Sequence, residues 1–470
     1  MIKGKYKYLF KNMALFTISS LVSKLLVFLL VPFYTSILTE SEYGIADVMQ
    51  STLLLGVPLL SINAGEAALR FGLDKGADHG EILRIGLKRV FFSDLLALIL
   101  SGGFFAFRLI TKKGPEPEYI VLFFFLFLFN SFYEYMLLYC QGTEKVQIMI
   151  MGSVSCTFLV IICNIFFLLF LSLGLYGYLF AQMIAYTGSA MLMFSMVGGD
   201  VQIKKIIKDR KLEREMFDYG SGMLLYSTSS WINNALDRYY ILLMLGSSEN
   251  GLYGAAYKIP AILTIFQRIF AQAWQMSAAK EYDEKDRDKF FSNMFRIYSA
   301  IMVLGAAGII LFLKILARIM FQKSFFEAWV LVPPLLISVI FGALEGFMGS
   351  ICLAFKDGKS IGRATGLGAL VNIVLNYFLI IEFATMGAAI ATLISYFVMF
   401  AAAYIMVKKY VKLDVSMAKN FFAYILLIVE SLAVIVNIKN FYLINSIILL
   451  ILLLIYMKEI AQFLTGLKKR

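Results

Sequence analysis

The chain is poor in the residues that most enzymes rely on. Of its 470 residues only 16% are charged and 60% are hydrophobic, which leaves little material for a water-soluble domain. The single histidine, His79, rules out histidine-rich metal sites and histidine-based triads. The four cysteines lie in hydrophobic stretches without CxxC spacing and predict neither disulfides nor a metal centre. Gly358-Lys359-Ser360 is no phosphate-binding loop, because Leu353 stands where that loop needs its first glycine. We therefore expect no cofactor and no ATP-binding domain.

What the chain does contain is a series of hydrophobic stretches of roughly 18–28 residues, each able to cross a bilayer core of about 30 Å. Runs of this length in lipid predict helices, so the expected fold class is all-α integral membrane with about 14 transmembrane helices. Pro32, Pro58 and Pro260 are expected to bend spans 1, 2 and 8. Spans 1 to 14 are predicted at 12–37, 45–65, 87–107, 119–140, 146–171, 174–197, 217–245, 251–279, 293–317, 328–352, 362–381, 385–407, 418–437 and 440–461.

The basic residues of the loops predict the orientation. The N-terminus, the C-terminus and every second loop together carry 32 Lys and Arg, whereas the seven intervening loops carry 7. Because Lys and Arg are retained on the cytoplasmic side, both termini are predicted to be cytoplasmic in the plasma (inner) membrane. The net charge of +12 follows from this bias and requires no nucleic-acid partner.

The chain repeats itself with a shift of about 210 residues, which indicates two homologous halves of six spans each. An even number of spans returns the second copy in the same orientation, so the repeats are predicted to be parallel. We predict an N-terminal lobe at 1–197, a basic cytoplasmic linker at 198–216, a C-terminal lobe at 217–410, and two extra helices with a tail at 411–470. The matches include Tyr43-Gly44 with Tyr253-Gly254, Gly177, Ala181 and Tyr186 with Gly387, Ala391 and Tyr396, and Glu134 with Glu345.

This pattern resembles the Wzx-type oligosaccharide flippases, in the polysaccharide transporter family of the MOP superfamily. The resemblance covers essentially the whole chain and is best in LFKNMALFTISSLVSKLLVFLLVPFYTSILTESEYG and in DYGSGMLLYSTSSWINNALDRYYILLMLGSSENGLYGAAYKIP. It implies alternating access that moves undecaprenyl-diphosphate-linked oligosaccharide units to the outer leaflet for capsule, exopolysaccharide, O-antigen or teichuronic-type polymers. It also implies cooperation with a polysaccharide polymerase and other assembly proteins. Many such flippases have twelve helices, whereas the related lipid II flippase has fourteen, so lipid II stays an alternative cargo.

Four basic residues lie inside predicted spans, namely Lys24, Arg238, Lys258 and Arg268. A base at the helix centre costs about 2.5–3.5 kcal/mol, so it usually faces a cavity or a partner. At a rise of about 1.5 Å per residue, Lys24 lies near the midplane and Arg268 slightly toward the cytoplasm. Arg238 and Lys258 lie roughly 10–12 Å below the outer surface by the same rise. We hypothesise that all four bind the diphosphate. The alternatives are that Lys258 snorkels outward and that Arg238 is a structural partner of an acid on a neighbouring helix.

Polar residues share helix faces with these bases and are expected to line the same water-filled cleft: Ser20, Asn234, Gln272 and Gln275. Buried acids are candidates for coupling to H⁺ or Na⁺, namely Asp94, Glu134, Asp237 and Glu345, although each could instead pair with a base. Asp237 and Arg238 are adjacent and point about 100° apart on a helix, so we expect no simple pair between them. Glu430 lies in the extra helices, outside this scheme.

Two other functions are weighed against the flippase. A membrane glycan polymerase or glycosyltransferase could use the acidic Glu40-Ser41-Glu42 turn, but such enzymes generally need large outward loops. The longest outward loop, 108–118, is short, so we expect no enzyme. A multidrug exporter of the same superfamily favours cationic cargo, which fits four intramembrane bases less well.

Overall fold

The computed structural model describes residues 30–74, 76–198, 209–281, 286–355 and 357–461, with the side chains of 272–273 and 275–281 left aside. Nine helices in these ranges are long and apolar enough to cross a membrane, and two shorter apolar helices accompany them. The all-α multi-pass membrane fold is therefore confirmed. Most of span 1 lies outside the described residues, and α1 (Val31–Ile37) is its last part.

The first half of the chain forms six further helices, and short turns connect them. They are α2 (Glu40–Leu60), α3 (Ala64–Gly72), α4 (His79–Thr111), α5 (Pro117–Gly142), α6 (Val146–Asn164, continued as a π-helical turn at Ile165–Phe170) and α7 (Gly174–Gly198). Between α2 and α3 the chain turns at Ile62 and Asn63, whose φ angles are 54° and 50°. Predicted span 2 therefore corresponds to α2, and only its last two residues belong to α3.

The second half begins with α8 (Arg210–Met244) and continues through eight more helices. They are α9 (Ser247–Ala256), α10 (Pro260–Glu281), α11 (Arg287–Leu311), α12 (Leu313–Met320), α13 (Val332–Ala354) after a 3₁₀ turn at Lys323–Leu331, α14 (Gly358–Val407), α15 (Met417–Ile435) and α16 (Phe441–Ile455). Predicted span 8 is interrupted just before Pro260, whose missing N–H suits the first turn of α10. Spans 11 and 12 form one long α14 that breaks at Ala384, where φ is 49°.

Two compact units divide the chain. The first comprises 1–38 and 45–231, and the second comprises 39–44 and 232–470. The boundary near Trp231 falls inside α8, whereas the division at 198–216 and the separate segment 411–470 stay predictions. In the first unit, Ala46, Met49 and Leu53 of α2 pack with apolar residues of α5 and α7. Burial of such side chains against each other is what fixes these helices together.

The first unit also holds the start of α8 against α4. Arg89 donates hydrogen bonds to the carbonyl oxygens of Glu213 and Met216 at 2.9 and 3.2 Å. Lys88 pairs with the Glu213 carboxylate at 2.6 Å, and this hydrogen bond lowers the pKa of Glu213. The first turns of α8 are thus anchored through both their backbone and their side chains.

The second unit is built around α13, the most deeply buried of the membrane-length helices in the described ranges. Aromatic rings join it to α10 and α11: Trp274 stacks on Phe347 at 4.1 Å and Phe270 stacks on Tyr298 at 3.8 Å. Trp274 also donates its indole N–H to the carbonyl of Phe347 at 3.1 Å, which satisfies its one polar atom. This aromatic cluster positions α10 and its polar face.

Residues 39–44 pack within the second unit against α9. The hydroxyls of Ser41 and Ser247 lie 2.7 Å apart, and Asn250 donates to the Gly44 carbonyl at 2.9 Å. At Gly251 an added Cβ would collide with the carbonyl oxygen of Glu40, so the two backbones touch. Only a residue without a side chain permits this approach.

Candidate cargo-binding and ion-coupling residues

Asp237 of α8 lies at the centre of a buried hydrogen-bond network in the second unit. It is 1% exposed, and its Oδ2 accepts hydrogen bonds from the hydroxyls of Tyr253 at 2.5 Å and Tyr257 at 3.1 Å. The Thr392 hydroxyl of α14 approaches the same oxygen at 3.3 Å. Three neutral hydroxyls converging on one oxygen stabilise a negative charge there.

Arg238 belongs to this network because it pairs with Asp237. The expectation that the two residues do not pair is therefore wrong. Its Nη1 lies 3.3 Å from Asp237 Oδ1 and donates to the Asn234 carbonyl at 2.7 Å. The guanidinium also lies 4.6 Å from the centre of the Tyr257 ring. The 100° separation describes where the Cα–Cβ bonds point, but the long arginine side chain folds back toward the preceding turn and reaches its neighbour. Arg238 is 9% exposed, so its charge is balanced inside the protein.

Lys258 and Arg268 differ from Arg238, because neither has an acid within ion-pair distance in the described part of the chain. Lys258 lies in the turn between α9 and α10, is half-buried, and has its Nζ 5.9 Å from the Tyr43 ring centre. Arg268 lies on an exposed face of α10. One helical turn before it, the Thr264 hydroxyl is bonded to the Pro260 carbonyl at 3.3 Å. Both cations therefore remain available to an anion.

The remaining predicted cavity residues divide into two groups. Lys24 and Ser20 lie outside the described residues, as do the side chains of Gln272 and Gln275. Asn234 is described and exposed, and its Oδ1 accepts a hydrogen bond from the Tyr396 hydroxyl at 2.8 Å. This bond links α8 to the second part of α14 one turn away from Asp237.

In the first unit, Glu134 of α5 is half-buried and close enough to Glu66 of α3 for their charges to repel. Neither carboxylate has a cation within ion-pair distance among the residues described. Asp94 of α4 accepts one hydrogen bond, from the Ser131 hydroxyl at 2.7 Å. These carboxylates can therefore take up a proton or a small cation without breaking an ion pair.

Glu345 of α13, the repeat counterpart of Glu134, is also half-buried. In the described ranges of the second unit no cation pairs with it. Of the four acids predicted for coupling, Asp237 alone forms an ion pair within the described residues.

Sequence reasoning missed the side chains that surround Asp237 and a neighbouring group of buried asparagines. On α14, Asn376 donates to Asn372 Oδ1 at 3.0 Å, while Asn372 Nδ2 and Asn376 Oδ1 lack partners in the described part of the chain. About two turns nearer the start of α14, the Thr365 carbonyl accepts a hydrogen bond from Asn233 at 3.1 Å. Tyr253 could have been found from the sequence, because it matches Tyr43 in the internal repeat. Isolated asparagines in apolar stretches form no pattern that would have predicted their role.

A family model described as "Polysaccharide biosynthesis protein" matches residues 9–276, more than half of the chain. The chain belongs to the polysaccharide biosynthesis protein family. The resemblance inferred from the sequence is thus confirmed at the level of the family.

Two relatives match this family member over part of their length. The probable low-salt glycan biosynthesis flippase Agl15 of Haloferax volcanii is 24% identical over 223 residues, 46% of this chain and 47% of that protein. The uncharacterized membrane protein MJ1068 of Methanocaldococcus jannaschii is 28% identical over 208 residues, 42% of this chain and 39% of that protein. The matched region thus spans less than half the length of each relative.

Solved structures confirm the MOP-type fold. The lipid II flippase MurJ in an inward closed conformation has a TM-score of 0.68 at 16% identity, covering 97% of this chain and 99% of that one. An inward-facing multidrug resistance transporter of the MATE family also has a TM-score of 0.68, at 13% identity, but covers 82% of this chain. At these identities the likeness concerns the fold alone.

Proposed function

We propose that this family member is a flippase that moves polyprenyl-diphosphate-linked oligosaccharide units from the inner to the outer leaflet of the plasma membrane. The family match and the name of its relative Agl15 support a glycan precursor as cargo, and the fold supports transport rather than catalysis. Polymerase and other assembly proteins would act on the units that it delivers. Both termini would be cytoplasmic, as the distribution of loop charges predicts.

One observation carries the proposal: two cations in the membrane part of the second unit, Lys258 and Arg268, have no acid partner among the described residues. Leaving a base in lipid costs about 2.5–3.5 kcal/mol, which an anionic ligand would offset. A diphosphate suits both side chains, since arginine can bind two of its oxygens at once and lysine acts as a point charge. We propose that Lys24 contributes to the same binding, and that Arg238 acts chiefly through Asp237.

Coupling to an ion is the second part of the proposal. Moving a dianion outward across a membrane that is negative inside releases about 2.3 kcal/mol per charge per 100 mV, so the potential alone can drive transport. Where a counter-ion participates, we propose Glu345 as the carrier of H⁺ or Na⁺ in the second unit and Glu134 with Asp94 in the first, because none of these acids has an ion pair among the described residues. Asp237 would first have to give up its pair with Arg238. Glu345 is the repeat counterpart of Glu134.

The test replaces the two cations separately and measures the cargo on each side of the membrane. Charged hydrogen bonds contribute about 1.5–3 kcal/mol, so Lys258→Ala and Arg268→Ala should each lower the transfer rate roughly ten- to a hundredfold. Lys323→Ala is the matched control, because Lys323 is an exposed cation in an outer turn. The assay labels lipid-linked glycan with a lectin confined to the outer surface. Full transfer by both alanine variants at normal membrane levels would remove the proposed binding site.

Deletion of the gene distinguishes the rival functions in the same assay. Single repeat units that stay inside would support a flippase, and their mass would separate oligosaccharide units from lipid II. Units that reach the outside unpolymerised would indicate a polymerase. Unchanged glycan on both sides would favour a multidrug exporter.

A further inference from the structure

Two polar side chains in the last two helices are buried without any partner. Glu430 of α15 and Asn445 of α16 are each 0% exposed. Both carboxyl oxygens of Glu430, and both Oδ1 and Nδ2 of Asn445, lack a hydrogen bond within the described residues. Buried polar groups are nearly always bonded, so four such atoms on two neighbouring helices require an explanation.

Contacts nearer the cytoplasmic end fix how α15 and α16 are aligned. Lys419 pairs with Glu459 at 2.7 Å, and the Tyr456 hydroxyl donates to Asn420 Oδ1 at 3.0 Å. The helices are antiparallel, so counting outward from these contacts brings Glu430 to within about one helical turn of Asn445. Glu430 also lies on the same face as Lys419, since eleven residues return the helix to within about 20°. The two unpartnered groups therefore face the same helix–helix interface.

The surroundings of Glu430 are otherwise uncharged. The charged residues of α11 all lie in the first ten of its 25 residues, and the last of them, Arg296, pairs with Asp414 at 2.7 Å. Between its ends α16 has no titratable side chain other than Tyr442, and α13 offers Glu345 and Cys352. The other titratable groups of these helices include the phenols of Tyr298 on α11 and Tyr424 on α15, with Tyr456 directly after α16. Toward the outside, the first cation is Lys314, bonded at 2.7 Å to Asn437, which is roughly 10 Å from Glu430 along the helix.

The chemistry of the two groups is complementary only when Glu430 carries a proton. A carboxylic acid has one donor and one acceptor, and so does the facing edge of a carboxamide. The two side chains are not hydrogen-bonded to each other in the structure, so pairing requires them to move closer. An acid and a carboxamide that meet edge to edge form two hydrogen bonds and leave none of the four atoms without a partner. A carboxylate can accept but not donate, and an unpaired buried charge is strongly unfavourable.

We propose that Glu430 and Asn445 form a proton-binding site that joins the two extra helices. Uptake of one proton by the Glu430 carboxylate gives the neutral acid, whose O–H donates to Asn445 Oδ1 while Nδ2 donates to the acid carbonyl. Loss of the proton leaves a carboxylate in an apolar interface and weakens the packing of α15 on α16. The site binds a proton independently of the cargo, and its existence does not depend on the proposed transport function.

Infrared spectroscopy of the purified full-length protein near neutral pH tests this directly. A protonated carboxyl group has a C=O stretching band that a carboxylate lacks, and the wild-type minus Glu430→Gln difference spectrum should show it. Glu459→Gln is the matched control, because its carboxylate lies between the same two helices but pairs with Lys419. The band should persist in this control. Identical bands in wild type and Glu430→Gln would overturn the proposal.

A second variant keeps the test valid if Glu430→Gln fails to fold. Asn445→Leu removes the amide partner but leaves the acid, so the band should remain and change frequency. An unchanged frequency would exclude Asn445 from the site. Absence of any protonated-carboxyl band in both wild type and Asn445→Leu would overturn the proposal as a whole.

The pH dependence of unfolding gives an independent measurement. Above the ordinary glutamate range of about 4.3, the unfolded chain releases a proton that the folded protein retains. The folding equilibrium of wild type should therefore fall up to tenfold per pH unit relative to Glu430→Gln, until the folded protein also releases the proton. Parallel curves for the two proteins in mixed micelles would contradict the proposal.

Discussion

The buried pair of Asp237 and Arg238 yields the most quantitative prediction. Asp237→Asn keeps the shape of the side chain but removes the negative charge that three hydroxyls and the guanidinium surround. Arg238 is then left 9% exposed without a counter-charge, and breaking a buried pair in this way costs about 3–5 kcal/mol. Since the whole free energy of unfolding of a domain is roughly 5–15 kcal/mol, we expect a large loss of stability. Arg238→Met should lose a comparable amount.

The double variant Asp237→Asn/Arg238→Met separates the pair from its surroundings. Removing both charges leaves no unpaired ion, so the double variant should be about 0.5–3 kcal/mol more stable than the sum of the single losses predicts. Unfolding in mixed micelles, followed by tryptophan fluorescence, gives the three free energies. The control Asp414→Asn breaks a pair whose acid is 94% exposed and should cost less than about 1 kcal/mol. Single losses no larger than this control, or strict additivity, would refute the assignment of a buried ion pair.

Two further predictions concern the packing at Gly251 and the carboxylate of Asp357. Gly251→Ala places a methyl group against the backbone at the start of α2 and should lower the free energy of unfolding by about 1–3 kcal/mol. The control Gly222→Ala enters open space and should be neutral or slightly stabilising. Equal unfolding midpoints of the two variants would contradict the close approach. The hydroxyls of Ser360 and Tyr410 lower the pKa of Asp357 to about 2, so its contribution to stability is present above pH of about 4 and lost as the pH falls toward 2. In Asp357→Asn the free energy of unfolding should change less with pH in this acid range than in the wild type. An unchanged pH dependence would exclude Asp357 as its cause.

The membrane fold was predictable because hydrophobic length is a property of whole segments. Any window of about 20 apolar residues predicts a helix whatever the local backbone does, and all the predicted spans that the structure describes are helical. The breaks were harder to predict, since each depends on one or two backbone angles. The turn at Asn63 and the kink at Ala384 have positive φ at residues other than glycine, which no composition window detects. The break before Pro260 is the exception, because proline has a fixed steric effect.

The candidate site was predictable as a set of costly charges but not as a set of contacts. The energetic argument singled out Lys258 and Arg268, and neither has an acid partner in the described ranges. That both lie inside the membrane and bind the cargo stays a prediction. It failed for Arg238, whose flexible side chain reaches both Asp237 and a carbonyl one turn earlier. Pairing depends on rotamers and on tertiary neighbours such as Tyr257, which residue spacing alone does not specify.

The internal repeat distinguishes charged residues that occur in both halves of the chain from those that occur in one half only. Glu134 and Glu345 match between the halves, so duplication by itself explains why both are present. Asp237, Lys258 and Arg268 have no such explanation, because Val27, Val48 and Pro58 stand 210 residues earlier. A charge that appears in only one half of a duplicated membrane protein, at a cost in free energy, needs a reason specific to that half. Recognition of an anionic cargo is such a reason, and it is why the two cations of the second unit carry more weight here than the acids shared by both.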